Sequence, residues 1–183
     1  MKRHYVVDTN VLIAGSAGNP GESRPIEATP DDPVLQRRIF NWLVRFEEGD
    51  CRLILDYGGG ILKEYRRSRF LDEGSYGLQV VLHKWNDACD LVSVTYDADG
   101  NGVLPEELEK VVHDKSDRKM VAAALAARQE FGDGCVAFAG DSDWHEWEDS
   151  LVKHEVLLEP IVEEWSRRKH KEKFRSDPRR PHA

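Results

Sequence analysis

The sequence predicts an α/β fold: a mainly parallel β-sheet covered by helices on both faces. Three observations carry this. Short apolar runs of strand length alternate along the chain with longer segments of helical periodicity. The strand-like runs are mostly apolar at consecutive positions, the pattern of strands buried on both faces. The length, 183 residues, suits one domain plus a tail and is enough to bury roughly two thirds of the surface of the unfolded chain. The expected division is 1–160 for the domain and 161–183 for a terminal helix and basic tail.

His4 to Val7 is the first strand. Asp8, Thr9 and Asn10 are good helix-start residues ahead of Val11, Leu12 and Ile13. Gly15 to Pro33 holds Gly, Pro, Ser and Asp with few large apolar residues and reads as a long loop. In Val34 to Glu48, Leu35, Ile39, Trp42, Leu43 and Phe46 recur at helical spacing, and Gly49 ends the helix. Arg52 to Tyr57 is a second buried strand. Gly58, Gly59 and Gly60 break the chain before a helix over Ile61 to Phe70. The next helix, Tyr76 to Cys89, is expected to bury Leu78, Val81, Leu82 and Trp85 on one face. Leu91 to Tyr96 alternates apolar and polar residues and reads as a strand. Leu104 to Val112 reads as a helix after its Pro105 start. Lys119 to Phe131 is alanine-rich and strongly helical, ending at Gly132. Cys135 to Ala139 and Val156 to Leu158 are the last strands, and a helix from Ile161 onward runs into the tail. There is no internal repeat.

Composition narrows the class. The 40% hydrophobic and 33% charged content fit a soluble globular protein. No run of 18 apolar residues offers a transmembrane helix, and the acid at Asp8 falls where a signal peptide needs an apolar stretch. Cys51, Cys89 and Cys135 are odd in number and widely spaced, which excludes a disulfide scaffold or zinc pattern and points to the reducing cytoplasm. The formal net charge is -8, unevenly spread. From Trp165 to Ala183 eight Lys/Arg stand against two acids, leaving the tail at +6 and the body at -14. Such a tail attracts polyanions. Its plainer reading is a solvated terminus, or a segment that docks on the acidic body of a second copy.

In open α/β sheets, sites gather at the carboxyl ends of the strands. Asp8 follows the first strand and Asp141 the strand ending at Ala139; Asp117 opens the alanine-rich helix, and Glu64 lies in the helix after the second strand. If the strands are neighbours, these acids converge, and four carboxylates at one place require cations. An oxygen-rich site without cysteine suits Mg²⁺ or Mn²⁺, and such ions clamp phosphodiesters for hydrolysis. The plain alternative is that Asp8, Asp117 and Asp141 are N-caps and Glu64 an ordinary surface residue beside Arg66 and Arg67.

These residues resemble a family. Val6-Val7-Asp8-Thr9-Asn10-Val11-Leu12-Ile13 looks like the opening motif of PIN-domain nucleases, and Asp117 leading Arg118 to Leu125 is similar to their third acidic motif. Ala139-Gly140-Asp141-Ser142-Asp143-Trp144 resembles their final motif, and Leu62-Lys63-Glu64-Tyr65 fits the place of their single Glu. The order along the chain matches, over about Tyr5 to Leu158. The resemblance implies a three-layer α/β/α sandwich, Mg²⁺ or Mn²⁺ at a carboxylate site, and endonuclease action on RNA. Asp8, Glu64, Asp117 and Asp141 match the four acids, Asp143 a frequent fifth metal ligand, and Thr9 and Asn10 a common polar pair on the substrate side. Arg167, Arg168, Lys169 and Lys171 of the tail are the expected electrostatic handle for RNA. A toxin partnered by an antitoxin is one setting for such a chain; RNA processing and defence are others. The loop from Gly15 to Pro33 and the basic tail are additions to the compact members, and Asp114, one turn before Asp117, competes for the third acidic role.

Rival motifs fail on their own spacing. Asp97 to Gly102 resembles half of a calcium loop, but its twelfth position is Leu108, between Glu107 and Glu109. Gly58-Gly59-Gly60 lacks the lysine of a phosphate loop and is expected to form a tight turn beside the site. His145 and His154 read as surface residues near Trp144 and Trp147. A phosphotransfer receiver domain also gathers acids at strand ends, but its lysine near the last strand is missing here. A non-catalytic member of the same fold, binding nucleic acid or a protein, is the remaining alternative.

Overall fold

The structure, a computed structural model, describes residues 1–176. Residues 177–183, which include Arg179 and Arg180 of the basic tail, lie outside the described residues. The strands are β1 (His4–Val7), β2 (Arg52–Asp56), β3 (Cys89–Val92), β4 (Cys135–Phe138) and β5 (Leu157–Pro160). They form one sheet, all parallel, in the order β3-β2-β1-β4-β5. β1 and β4 are buried along their whole length, as the mostly apolar sequence of two central strands requires, with His4 the one polar residue among them.

The helices are α1 (Thr9–Ala17), α2 (Pro33–Glu48), α3 (Gly60–Arg67), α4 (Tyr76–Asp87), α5 (Glu106–Glu109), α6 (Arg118–Phe131), α7 (Trp144–Lys153) and α8 (Glu163–Ser176). α1, α2 and α4 pack on one another in one layer, while α6 lies across β1 to β4. Right-handed crossovers explain the division, because connections leading outward from β1 toward β3 and those leading toward β5 place their helices on opposite faces. The result is the three-layer α/β/α sandwich. No helix among the described residues is long and apolar enough to cross a membrane.

The element boundaries differ from the sequence reading in instructive places. α1 continues through Gly15 to Ala17, so the loop is 18–32. Gly15 is helical and marks the crossing of α1 with α2: a Cβ there would sit 2.2 Å from Leu43 Cδ1. β3 ends at Val92; beyond it only Tyr96 pairs, with Gly102, across the Asp97 turn. α5 is a single turn, Glu106–Glu109, instead of the nine residues expected. In α4 the inward face carries Val80, Val81 and Lys84, and Trp85 is exposed beneath Arg66. Lys84 tolerates its burial because its ammonium donates to the carbonyls of Gly49 and Cys51 at 2.8 and 2.7 Å. α7 was not anticipated. Its buried Trp144, Trp147 and Leu151 follow helical spacing, and His145, read as a surface residue, is buried with Nε2 2.8 Å from Ser166 Oγ.

Candidate functional site

The strand order puts β1 beside β4, with β2 and β5 continuing outward on either side. This is the point where chain order reverses, and it opens a crevice at the carboxyl ends of the two strands. Asp8 directly follows β1, and its N–H donates to the Ala137 carbonyl of β4 at 2.9 Å. Asp141 stands three residues past the end of β4, and Asp117 immediately precedes α6. Glu64 lies in α3, which packs against β2 and α6. The four acids thus come from four elements that meet at one edge of the sheet.

Their charges act on one another. Burial pushes the Asp8 carboxyl up to about 7, and the charges of Asp141 and Glu64 push the same way against the Asn10 amides. Burial lifts Asp117 further, to about 9, reinforced by Asp8, Asp141, Asp114 and Glu64. Asp141 is raised by burial and by Asp143, with the Asp143 N–H and Lys173 opposing. Raised carboxyls with several carboxylate neighbours are the signature of a site short of positive charge.

A capping role does not account for these acids. The Asp117 side chain makes no capping hydrogen bond to α6. Asp8 accepts from the Asn10 N–H only at a long 3.4 Å. Asp8 Oδ2 and Asp117 Oδ2 are both buried without a hydrogen-bond partner, a state that costs free energy unless a cation or donor arrives. Asp114, by contrast, is exposed and accepts from the Ser116 N–H and hydroxyl at 2.8 and 2.6 Å.

Glu64 is held from two sides. The Thr9 hydroxyl donates to Oε1 at 2.7 Å, and the Lys119 ammonium lies 2.5 Å from Oε2. Lys119, nearly buried and also bonded to the Ser116 carbonyl, was not singled out in the sequence; its place two residues after Asp117 at the start of α6 was the available signal. Asp56 was also missed. It ends β2 as Asp8 follows β1, but its two oxygens accept the N–H groups of Gly60 and Ile61, both at 2.8 Å. Asp56 therefore fastens the start of α3. The glycine run serves this turn as expected, with Gly59 at φ +70°.

The remaining candidates are Asp143, at the start of α7, and the basic residues of α8. Asp143 pairs with Lys173. Arg167 grips Glu148 with both terminal nitrogens, at 3.0 and 3.1 Å, and Glu163 with Nε at 2.8 Å. Lys169 and Arg168 face Glu172, at 2.8 and 3.9 Å. The basic segment is thus helical to Ser176 and docked on α7 through Arg167 and Lys173. Lys171 is exposed on the same helix.

Among the described residues, no three His, Cys, Asp or Glu side chains stand arranged around one cation position. The donor set nonetheless fits a hard divalent ion: all oxygen, with Asp8 and Asp117 buried, Glu64 and Asp141 half-buried, and two carboxylate oxygens unpartnered. Compared with protein-family models, curated proteins and solved structures, the chain matches none.

Proposed function

We propose that the chain is a metal-dependent endoribonuclease whose centre is Asp8, Glu64, Asp117 and Asp141. The observation that carries the reading is the pair of buried, unpartnered carboxylate oxygens of Asp8 and Asp117 at the switch point of a parallel sheet. The ordered resemblance of the acidic motifs to PIN-domain nucleases supports it. Asp8, Glu64, Asp117 and Asp141, with Asp143 at the rim, are the residues that would hold Mg²⁺ or Mn²⁺. When bound, such an ion supplies Lewis-acid activation of water and neutralises charge at phosphorus. The protein's own part is to hold the carboxylates together at the sheet's carboxyl end and to keep Glu64 in one orientation through Thr9. Asp8 and Asp117 retain protons near neutral pH and release them on loading. Lys119 balances Glu64 and adds positive charge where a phosphate approaches.

A second reading is a non-catalytic nucleic-acid-binding member of the same fold. It is favoured by one observation, the Lys119–Glu64 pair, which already satisfies one of the four acids. End-labelled single-stranded RNA incubated with the full chain in Mn²⁺, with EDTA as control, separates the two. The proposal expects cleavage in Mn²⁺ that EDTA abolishes. Folded protein that binds the RNA and leaves it intact in Mn²⁺ would establish the second reading.

A further inference from the structure

A groove of about 690 Å³ opens beside the acids on the β2–β3 side of the crevice. It shares Thr9, Glu64 and Lys119 with the acid cluster, and its outer wall is built from Lys63, Arg67, Arg69 and Phe70 of α3 and the segment after it. We infer that this groove is the binding track for a single-stranded nucleic acid, which therefore lies on the α3 side of the acids and not along the basic α8.

Charge is the first argument. The body of the protein is strongly acidic, so a polyanion approaches only where cations are uncompensated. Lys63, Arg67 and Arg69 are exposed, and among the described residues none has a carboxylate partner. The residues from Ile61 to Phe70 contain Lys63, Arg66, Arg67 and Arg69 against Glu64 alone. On α8, in contrast, Arg167 and Lys173 pair with Glu148, Glu163 and Asp143, and Arg168 and Lys169 face Glu172, so that of the six cations of that helix two, Lys171 and Arg175, have no carboxylate partner among the described residues.

Shape and chemistry supply the second argument. The Arg69 guanidinium lies over the half-buried Phe70 ring, 4.6 Å from its centroid, so the ledge is a guanidinium plane backed by an aromatic ring. Unpaired bases stack on such ledges while phosphates meet the cations. A duplex hides its base faces, and an acidic peptide has none, so the ledge favours a single strand. Asp99 on the far wall is the one further acid at the groove besides Glu64, and it keeps the phosphate path on the α3 side. The inference draws on the nuclease reading only for where the scissile bond would fall, at the shared Thr9–Glu64–Lys119 end.

The test is fluorescence anisotropy with a 5′-fluorescein dodecamer of uridylate and its deoxy counterpart, using the full chain in an Asp8→Asn background. Three cations facing three phosphates predict that Lys63→Gln/Arg67→Gln/Arg69→Gln together weaken binding about tenfold or more, and flatten the slope of log K against log salt by roughly 2. Phe70→Leu should weaken it about fivefold by loss of stacking. Arg168→Gln/Lys169→Gln/Lys171→Gln together should change affinity less than about twofold. Apart from the shared Asp8→Asn background, all substitutions are on exposed or half-exposed side chains, and circular dichroism melts check that the variants fold. Unchanged affinity in the folded α3 variant, loss confined to the α8 variant, or equal competition by polyglutamate would each overturn the inference. Tight groove-dependent binding without Mn²⁺-dependent cleavage by the unmutated chain would refute the nuclease reading and leave the track standing, so the two failures are distinguishable.

Discussion

Asp8 has two roles that respond differently to amidation. As the N-cap of α1 it needs only an oxygen acceptor, which Asn supplies equally well. As a buried carboxylate facing Asp141 and Glu64 it carries charge that the folded state opposes. Asp8→Asn is therefore expected to abolish Mn²⁺-dependent cleavage and, without metal at pH 8, to raise stability by about 1–2 kcal/mol, or roughly 2–8 °C in Tm for a chain of this size. RNA cleavage and thermal melts check it; an active, normally folded variant contradicts the assignment. Asp117 and Asp114 offer a matched contrast. Asp117→Ala should be inactive, since it removes a buried carboxylate at the centre, whereas Asp114→Ala should retain most activity because it removes only a turn contact to Ser116. Kinetics on the two variants decides between them. At this scale Asp8, Asp117 and Asp141 are legible in the sequence because they follow strands or open a helix, whereas Glu64, inside α3, has no such position to mark it. It is poor at partners: Lys119 is one polar residue among many on an alanine-rich helix until the fold sets it against Glu64.

At the scale of elements, α3 is the piece on which both the centre and the groove depend. It is fastened by Asp56, whose carboxylate takes the N–H groups of Gly60 and Ile61. Asp56→Ala removes this cap and leaves buried donors unsatisfied, a loss of about 2 kcal/mol, or roughly 4–8 °C in Tm. Because Glu64, Lys63 and Arg67 ride on the same helix, RNA affinity and cleavage should fall together in that variant. Melts and anisotropy measured side by side check this, and a lower Tm with unaltered binding contradicts the coupling of the turn to the groove. The elements themselves were legible where periodicity was long, as in α2 and α6. They were misjudged where a tertiary contact decided the boundary. Gly15 looks like loop sequence, yet it lies inside α1 where a Cβ would press on the Leu43 side chain of α2. Leu91 to Tyr96 has strand alternation, yet the Asp97 turn draws the chain away after Val92. α7 escaped notice because its buried tryptophans follow an acidic, turn-like segment.

For the whole molecule, the decisive fact is the strand order, which the linear pattern of elements does not contain. Alternating strands and helices specify a parallel sheet, but only the pairing of β1 with β4 brings Asp8 and Asp141 to one crevice. That convergence links global stability to pH and, under the proposed reading, to metal. The folded-state carboxyls of Asp8 and Asp117, at about 7 and about 9, lie above their ordinary value of 3.8. Between that value and these, the folded chain holds protons that the unfolded chain has released, so stability without metal falls as pH rises through the window and levels above about 9. Divalent cations act in the opposite sense, because binding requires the deprotonated acids and so strengthens with pH. At a Mn²⁺ concentration about 100 times the dissociation constant, binding to the folded state alone adds about 2.7 kcal/mol, or roughly 5–10 °C in Tm. The increment should be large at pH 8 and small at pH 5, and Asp117→Asn should suppress it at both. Melts at the two pH values, with and without Mn²⁺, measure it directly. A Mn²⁺ increment that is independent of pH, or that survives the loss of Asp117, would place the ion elsewhere on this acidic surface.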